Sequence, residues 1–183
     1  MSTAEYYLAF ESILYGLIIS KILIKWAEMI KAKGVKSYHW AYILLTINVF
    51  CLIVYIFWVN REPEHYENIA GPLMFLIHVV VPPSIFTFMT FQMFPNEFSE
   101  MIQKDYLIKY RRNIFIPWVV YLVYNLYVLT ENLFILRPYT LGTFILIILT
   151  GFIIKFPKII FINIFILIQT IILIFGYLRY YMF

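Results

Sequence analysis

The sequence predicts an all-α fold, a polytopic membrane helix bundle with about six transmembrane helices, and two observations carry this prediction. Of its 183 residues, 63% are hydrophobic and 13% are charged, about half the charged share of a soluble domain. The apolar residues gather in six runs, at about 6–30, 38–59, 69–94, 114–136, 139–155 and 157–178. Because a spanning helix needs about 20 mostly apolar residues, we predict one transmembrane domain over residues 1–183.

Prolines and one asparagine mark where these helices begin. Four prolines fall at or near the first turn of a run, where the missing N–H costs little: Pro72, Pro117, Pro138 and Pro157. Asn96 precedes Glu97 and Glu100, as expected for an N-cap with acidic residues in the first turn. The sequence therefore predicts an interfacial helix over 96–112 that leads into the fourth run.

The loops carry an asymmetric charge that predicts the orientation. The first, third and fifth loops hold nine lysines and arginines, against three on the opposite side. Cytoplasmic loops carry the excess of these residues, so six spans would place both termini outside. The heavy use of Ile, Phe, Tyr, Lys and Asn is typical of proteins from AT-rich bacterial genomes, and we predict localisation in the bacterial inner membrane.

The first run carries a stripe with four ionisable residues. Tyr7, Glu11, Leu14, Ile18, Lys21, Lys25 and Glu28 recur at steps of four and three, which places them on one helical face. Charged groups at membrane depth face a partner or a water-filled cavity. Glu11, Lys21, Lys25 and Glu28 are therefore predicted to line a polar pathway, and a structural partnership is the alternative for Glu11. Snorkelling of the last three towards the interface is the alternative explanation.

A second face of the same helix holds Ser12, Gly16 and Ser20 at a spacing of four. Small residues at this spacing let two helix backbones approach closely in lipid. We therefore predict that this face packs against another helix and takes part in assembly.

The third run combines a histidine with two prolines. His78 lies four residues before Pro82, and Pro83 follows directly. A proline cannot donate a hydrogen bond to the carbonyl four residues before it, so we predict a helix break at Pro82 and Pro83. A break in the membrane is tolerated beside protein or water, so His78 is a candidate for the polar pathway. A structural hydrogen bond is the other interpretation.

Single polar residues occur in the remaining runs. Asn125 lies midway along the fourth run and Glu131 nearer its outer end, and both complete the predicted pathway. Asn48 and Gln169 are isolated in apolar helices, where hydrogen bonds between helices explain them.

Signatures of enzymes and cofactors are missing from the sequence. It contains no HExxH, GxSxG or glycine-rich phosphate loop. Its three histidines lie in separate segments, so they do not form a metal cluster. We predict no enzymatic activity, no cofactor and no metal. The charge of +4 follows from loop topology rather than nucleic-acid binding.

Several short motifs resemble a family of small bacterial multi-spanning membrane proteins to which no activity is assigned. The resemblance covers about residues 8–118. Its motifs are the run from Phe10 to Ile18, Tyr38-His39-Trp40, Phe57-Trp58, Pro82-Pro83, and Phe94-Pro95 before Tyr110-Arg111-Arg112. It implies a membrane bundle without an assigned activity, and Lys21 and Lys25 depart from its pattern.

Two functional hypotheses follow from these residues. The first is an oligomeric ion or proton channel, or a proton-coupled transporter, with a polar path between the first, third and fourth spans. The second is a non-conducting anchor or signalling subunit of a multi-protein system, for example in defence or envelope stress, that binds a cytoplasmic protein through its basic loops. The expected partners are membrane lipids and further copies of the chain.

Overall fold

All the secondary structure that the structure describes is helical. The structure is a computed structural model that describes residues 2–33, 39–59, 66, 69, 71–94, 106–131 and 138–182. Its principal helices are α1 (Thr3–Lys33), α2 (Trp40–Val59), α3 (Gly71–Phe75), α4 (Val81–Met93), α5 (Tyr106–Lys109), α6 (Arg111–Glu131), α7 (Pro138–Lys155) and α8 (Ile159–Met182), with a π-helical segment at Leu76–Val80. The predicted all-α class is confirmed for these residues.

Three helices are long and apolar enough to cross a membrane. They are Thr3–Ala32, Trp40–Trp58 and the composite helix Gly71–Met93, which joins α3, the π-helical segment and α4. Leu141–Lys155 and Ile159–Phe175 are apolar but shorter over the residues searched. The predicted interfacial helix over 96–112 lies largely outside the described residues, which include only its end, at α5 and the start of α6.

The helices form a closed ring in which sequence neighbours are not always spatial neighbours. Helix α1 lies between α2 and α4, α4 packs against α6, α6 against α7, α7 against α8, and α8 returns to α2. The first helix, α1, and the last helix, α8, therefore both pack against α2. The first and third runs come together at the joint between α1 and α4.

Aromatic side chains fill the interior of this ring. Tyr15 of α1 contacts Phe86 of α4 with ring centroids 6.2 Å apart, and Phe86 contacts Tyr121 of α6 at 5.0 Å. Trp118 of α6 then meets Phe165 of α8 at 5.3 Å. These rings are buried, and tilted or edge-to-face pairs of this kind add about 0.5–1.5 kcal/mol each beyond area burial.

The predicted break at Pro82 and Pro83 is wrong, because the composite helix stays helical through both prolines. The N–H of Val81 donates to the carbonyl of Leu76, five residues earlier, and this widens the turn just before the prolines. Pro82 and Pro83 then occupy the first positions of α4, where their fixed φ suits a helix. A π-helical turn therefore replaces the unwound segment that the sequence suggested.

Candidate functional site

A carboxylate is buried in α1 near the Thr3 end of the bundle. Glu11 is 1% exposed, and the hydroxyl of Tyr66 donates a hydrogen bond to its Oε2. Tyr66 lies outside the long helices and is itself buried. Its burial raises its pKa well above the usual value, and the charge and hydrogen bond of Glu11 raise it further. Tyr66 is therefore protonated at neutral pH and can act as a donor.

The unequal lengths of α1 and α2 create the place that Tyr66 occupies. Tyr15 and Phe57 are in ring contact at 6.2 Å, so the level of Tyr15 is close to the end of α2 at Val59. Helix α1 extends from Tyr15 back to Thr3, about 18 Å further at 1.5 Å per residue. Glu11 therefore lies beyond the end of α2, where the chain that follows α2 can reach it.

A second tyrosine, Tyr15, follows Glu11 by one helical turn and links it to further tyrosines of the bundle. Tyr15 interacts electrostatically with Glu11, Tyr66, Tyr121 and Tyr124. The hydroxyl of Tyr15 is buried and, among the residues that the structure describes, has no hydrogen-bond partner. A buried polar group without a partner is uncommon. The site thus joins a carboxylate, its phenol donor and a second phenol that can still donate.

The ionisable stripe of α1 is divided between two regions. At 1.5 Å per residue, Lys21 lies about 15 Å and Lys25 about 21 Å from Glu11 along the helix axis. Lys25 pairs with Glu28 at 2.8 Å, and the ammonium of Lys21 lies over the Phe91 ring. The stripe therefore does not form one cluster around Glu11, and its lysines lie towards the Lys33 end.

The remaining pathway candidates lie on the composite helix and α6. His78 is half-buried in the π-helical segment. Phe75, one turn earlier, contacts Tyr7 and Phe10 of α1 at 4.8 and 5.7 Å, so this part of the composite helix packs beside α1. Asn125 is half-buried in α6, and Glu131 is its last residue, whose side chain lies outside the described part.

The predicted helix packing at Ser12, Gly16 and Ser20 is wrong within one chain. Gly16 and Ser20 are exposed, and a Cβ added to Gly16 would meet no atom of the described residues within 4 Å. Ser12 uses its hydroxyl to bond the carbonyl of Leu8 in its own helix. The buried face of α1 is instead formed by Glu11, Tyr15, Ile18, Ile22 and Met29.

Close helix contacts occur elsewhere, and one of them was predicted. A Cβ added to Gly142 of α7 would lie 3.1 Å from Cδ1 of Ile172 in α8. Asn48 of α2 donates from Nδ2 to Oγ1 of Thr170 in α8 at 2.9 Å, which confirms its role between helices. Gln169 is buried too, but its Oε1 has no hydrogen-bond partner in the part described.

Comparison with known proteins identifies no relative from which a role for these residues could be inferred. No family model matches the chain, and no curated protein or solved structure matches it. The resemblance to a bacterial membrane family therefore stays a prediction. In the described residues, no group of three His, Cys, Asp or Glu side chains is arranged to hold a metal ion.

Proposed function

We propose that this chain is a proton-coupled transport protein of the bacterial inner membrane, in which Glu11 takes up and releases the proton. The observation that supports this most is the burial of Glu11 beneath the hydroxyl of Tyr66. Carboxylates in transmembrane segments are costly and commonly belong to ion or proton pathways. The six-span arrangement with both termini outside is part of the same proposal.

The chemistry depends on how Tyr66 distinguishes the two states of the carboxyl group. A hydrogen bond to a charged acceptor is worth about 1.5–3 kcal/mol, compared with about 0.5–1.5 kcal/mol for a neutral one. Protonation of Glu11 therefore weakens its bond to Tyr66. Separation of Tyr66 from Glu11 would open the carboxyl group to the outside. On the interior side, the hydroxyl of Tyr15 would then be the nearest group able to donate a hydrogen bond to Glu11.

The filled interior favours coupled transport over a permanently open channel. Phe86, Tyr121, Trp118 and Phe165 meet across the ring of helices, and all four are buried. Passage of a solute through the middle of one chain would require these rings to move apart. A conformational change linked to the proton on Glu11 would supply that movement.

The exposed face of α1 supports assembly of several copies. Among the described residues, a Cβ on Gly16 would meet no atom within 4 Å, and Gly16 and Ser20 are both exposed on the surface that would face lipid. Small residues allow close contact between helices in lipid. We therefore keep a homo-oligomer in the proposal, with α1 at the contact between copies.

Cysteine labelling in intact cells tests the proposed topology. A cysteine introduced at Ser2 should react with an impermeant reagent, because the loop charge bias places the N-terminus outside. A cysteine at Lys31, at the other end of α1, should react only after permeabilisation. Labelling of both positions from the same side, or of Lys31 alone in intact cells, would contradict the arrangement.

Proton flux into liposomes tests the proposed activity. Reconstituted wild-type protein should carry protons at a rate that depends on pH, and Glu11→Gln should reduce flux to that of empty liposomes. Tyr66→Phe should change the pH dependence, and His78→Ala should also alter it. Glu28→Gln is the matched control, because its carboxylate is exposed and paired with Lys25, and it should behave as wild type.

The second functional candidate is a non-conducting anchor or signalling subunit. It is favoured by a set of basic residues at the Lys33 end that are exposed to solvent or headgroups: Lys31, Lys109, Arg112, Lys155 and Lys158. Wild-type liposomes that pass no more protons than empty ones, together with a partner whose capture from native membranes is lost in Arg112→Glu, would favour this function over transport.

A further inference from the structure

We propose that the groove between α1 and α4 binds an anionic phospholipid, with the lipid phosphate on the ammonium group of Lys21. The proposal rests on the placement of α1 and the composite helix in a membrane. It does not depend on proton transport by Glu11, which lies about 15 Å away along α1.

Among the described residues, Lys21 is a cation without an ion pair. It is half-buried at the joint between the two helices, and its Nζ lies over the Phe91 ring of α4. In the described part of the chain this ammonium forms no ion pair and donates no hydrogen bond, while the neighbouring Lys25 is paired with Glu28. A cation over an aromatic ring is attracted by about 0.5–2 kcal/mol, which leaves its three donors available to an anion.

A second positive charge lies close to Lys21. Lys25 follows one turn later and interacts electrostatically with Lys21. Glu28 partly compensates Lys25, but the two lysines together still outnumber the single carboxylate. A phosphate between the lysines would relieve their repulsion and complete the charge balance of this part of α1.

The walls of the groove above Lys21 are apolar and exposed. On α1, Leu17 lies one turn before Lys21 and is 65% exposed. On α4, Phe88 and Phe91 are 55% and 60% exposed and lie on one side of the helix, three residues apart. Because Phe91 contacts Lys21, this apolar pair borders the groove. An acyl chain can lie along these side chains while its headgroup reaches the lysine.

Lys21 lies near one end of the composite helix. Phe91 is two residues from the end of this helix at Met93, so its partner Lys21 lies near the same end. Helix α1 continues beside α2 from Lys21 to Lys33, about 18 Å further, and the indole N–H of Trp26 donates to Thr46 of α2 in this part. A lysine in an apolar helix extends its long side chain towards the interface, and basic pockets between transmembrane helices are a known type of site for acidic lipid headgroups.

Native mass spectrometry of the purified full chain tests the proposal with phosphatidylglycerol and phosphatidylcholine as probes. The wild-type protein should retain phosphatidylglycerol in preference to phosphatidylcholine. Lys21→Gln should weaken phosphatidylglycerol binding about fivefold, the change expected for one lysine near a membrane surface. Lys158→Gln is the matched control, since Lys158 is exposed at the same end of the bundle but lies at the start of α8, away from the groove.

The outcomes separate a built site from general attraction to negative charge. Equal binding to wild-type and Lys21→Gln protein would overturn the proposal, and so would an equal loss in Lys158→Gln. Inorganic phosphate should not displace the lipid, because it cannot use Leu17, Phe88 and Phe91; displacement by phosphate alone would overturn the lipid assignment. A Lys21→Arg variant should keep the preference, which shows that loss in Lys21→Gln does not come from misfolding.

Discussion

The hydrogen bond between Tyr66 and Glu11 can be tested by removing one oxygen atom. Tyr66→Phe keeps a buried ring, since Tyr66 is 2% exposed, and removes only the donor to Glu11. With Glu11 ionised, we expect the variant to lose about 1.5–3 kcal/mol of unfolding free energy, the range for a hydrogen bond to a charged group. With Glu11 protonated, the loss should fall to about 0.5–1.5 kcal/mol.

A double-mutant cycle isolates this interaction from other effects of the two substitutions. The single variants Tyr66→Phe and Glu11→Gln, the double variant and the wild type should be unfolded in mixed micelles at neutral pH, with tryptophan fluorescence as the signal. Because Gln is a neutral acceptor, Tyr66→Phe should cost about 1–2 kcal/mol less in the Glu11→Gln background.

Additive behaviour would refute this reasoning. Mutations at independent sites add within about 0.5 kcal/mol, so a coupling below that value would mean that Tyr66 does not stabilise the charged carboxylate. A coupling that stays constant from neutral to acidic pH would mean that the protonation state of Glu11 does not change. Either result would remove the basis for using this pair as a proton-dependent contact.

Two further predictions concern the packing between helices, both measured as unfolding free energy in mixed micelles. Gly142→Leu should cost about 1–3 kcal/mol through overpacking, since a Cβ there would lie 3.1 Å from Ile172. Gly151→Leu should change stability by less than about 0.5 kcal/mol, because a Cβ at Gly151 would meet no atom of the described residues within 4 Å. Asn48→Leu should cost about 0.6–1.7 kcal/mol, the range for hydrogen bonds between membrane helices, and more than Gln169→Leu, whose Oε1 has no partner among the described residues. Equal effects within either pair would contradict these contacts.

The helices themselves could be predicted well from the sequence, because apolar runs and prolines report directly on helix length and ends. The run at 38–59 corresponds to α2 (Trp40–Val59) and the run at 139–155 to α7 (Pro138–Lys155). The polar role of Asn48 was also predictable, since an amide in an apolar helix needs a partner from another helix.

The composition of the candidate site could be predicted only in part. Periodicity placed Glu11 on the ionisable face of α1. It could not show that α4 ends near the level of Lys21, so that the lysines of this face lie apart from Glu11. Tyr66 was missed because a tyrosine outside the apolar runs is typical of a membrane interface. Its contact with Glu11 depends on α2 being shorter than α1, which is a property of the packed bundle.

Two local predictions failed for identifiable physical reasons. The missing N–H groups of Pro82 and Pro83 indicated lost backbone hydrogen bonds near His78. They did not reveal that a wider turn, in which the N–H of Val81 donates to the carbonyl of Leu76, could keep the helix continuous. Spacing of small residues located a face suited to close packing at Gly16, but spacing does not tell a contact within the chain from one between copies. A close contact between helices of one chain occurs at Gly142, which is not part of a repeated spacing of small residues and so could not be recognised from the sequence.

The central claim, that Glu11 exchanges a proton in the folded protein, is tested most directly by infrared difference spectroscopy of the reconstituted chain. The account predicts a carboxyl band that appears as pH is lowered, disappears in Glu11→Gln, and shifts in Tyr66→Phe because the hydrogen bond is lost. A carboxyl spectrum that is identical in wild-type and Glu11→Gln protein at every pH would contradict it.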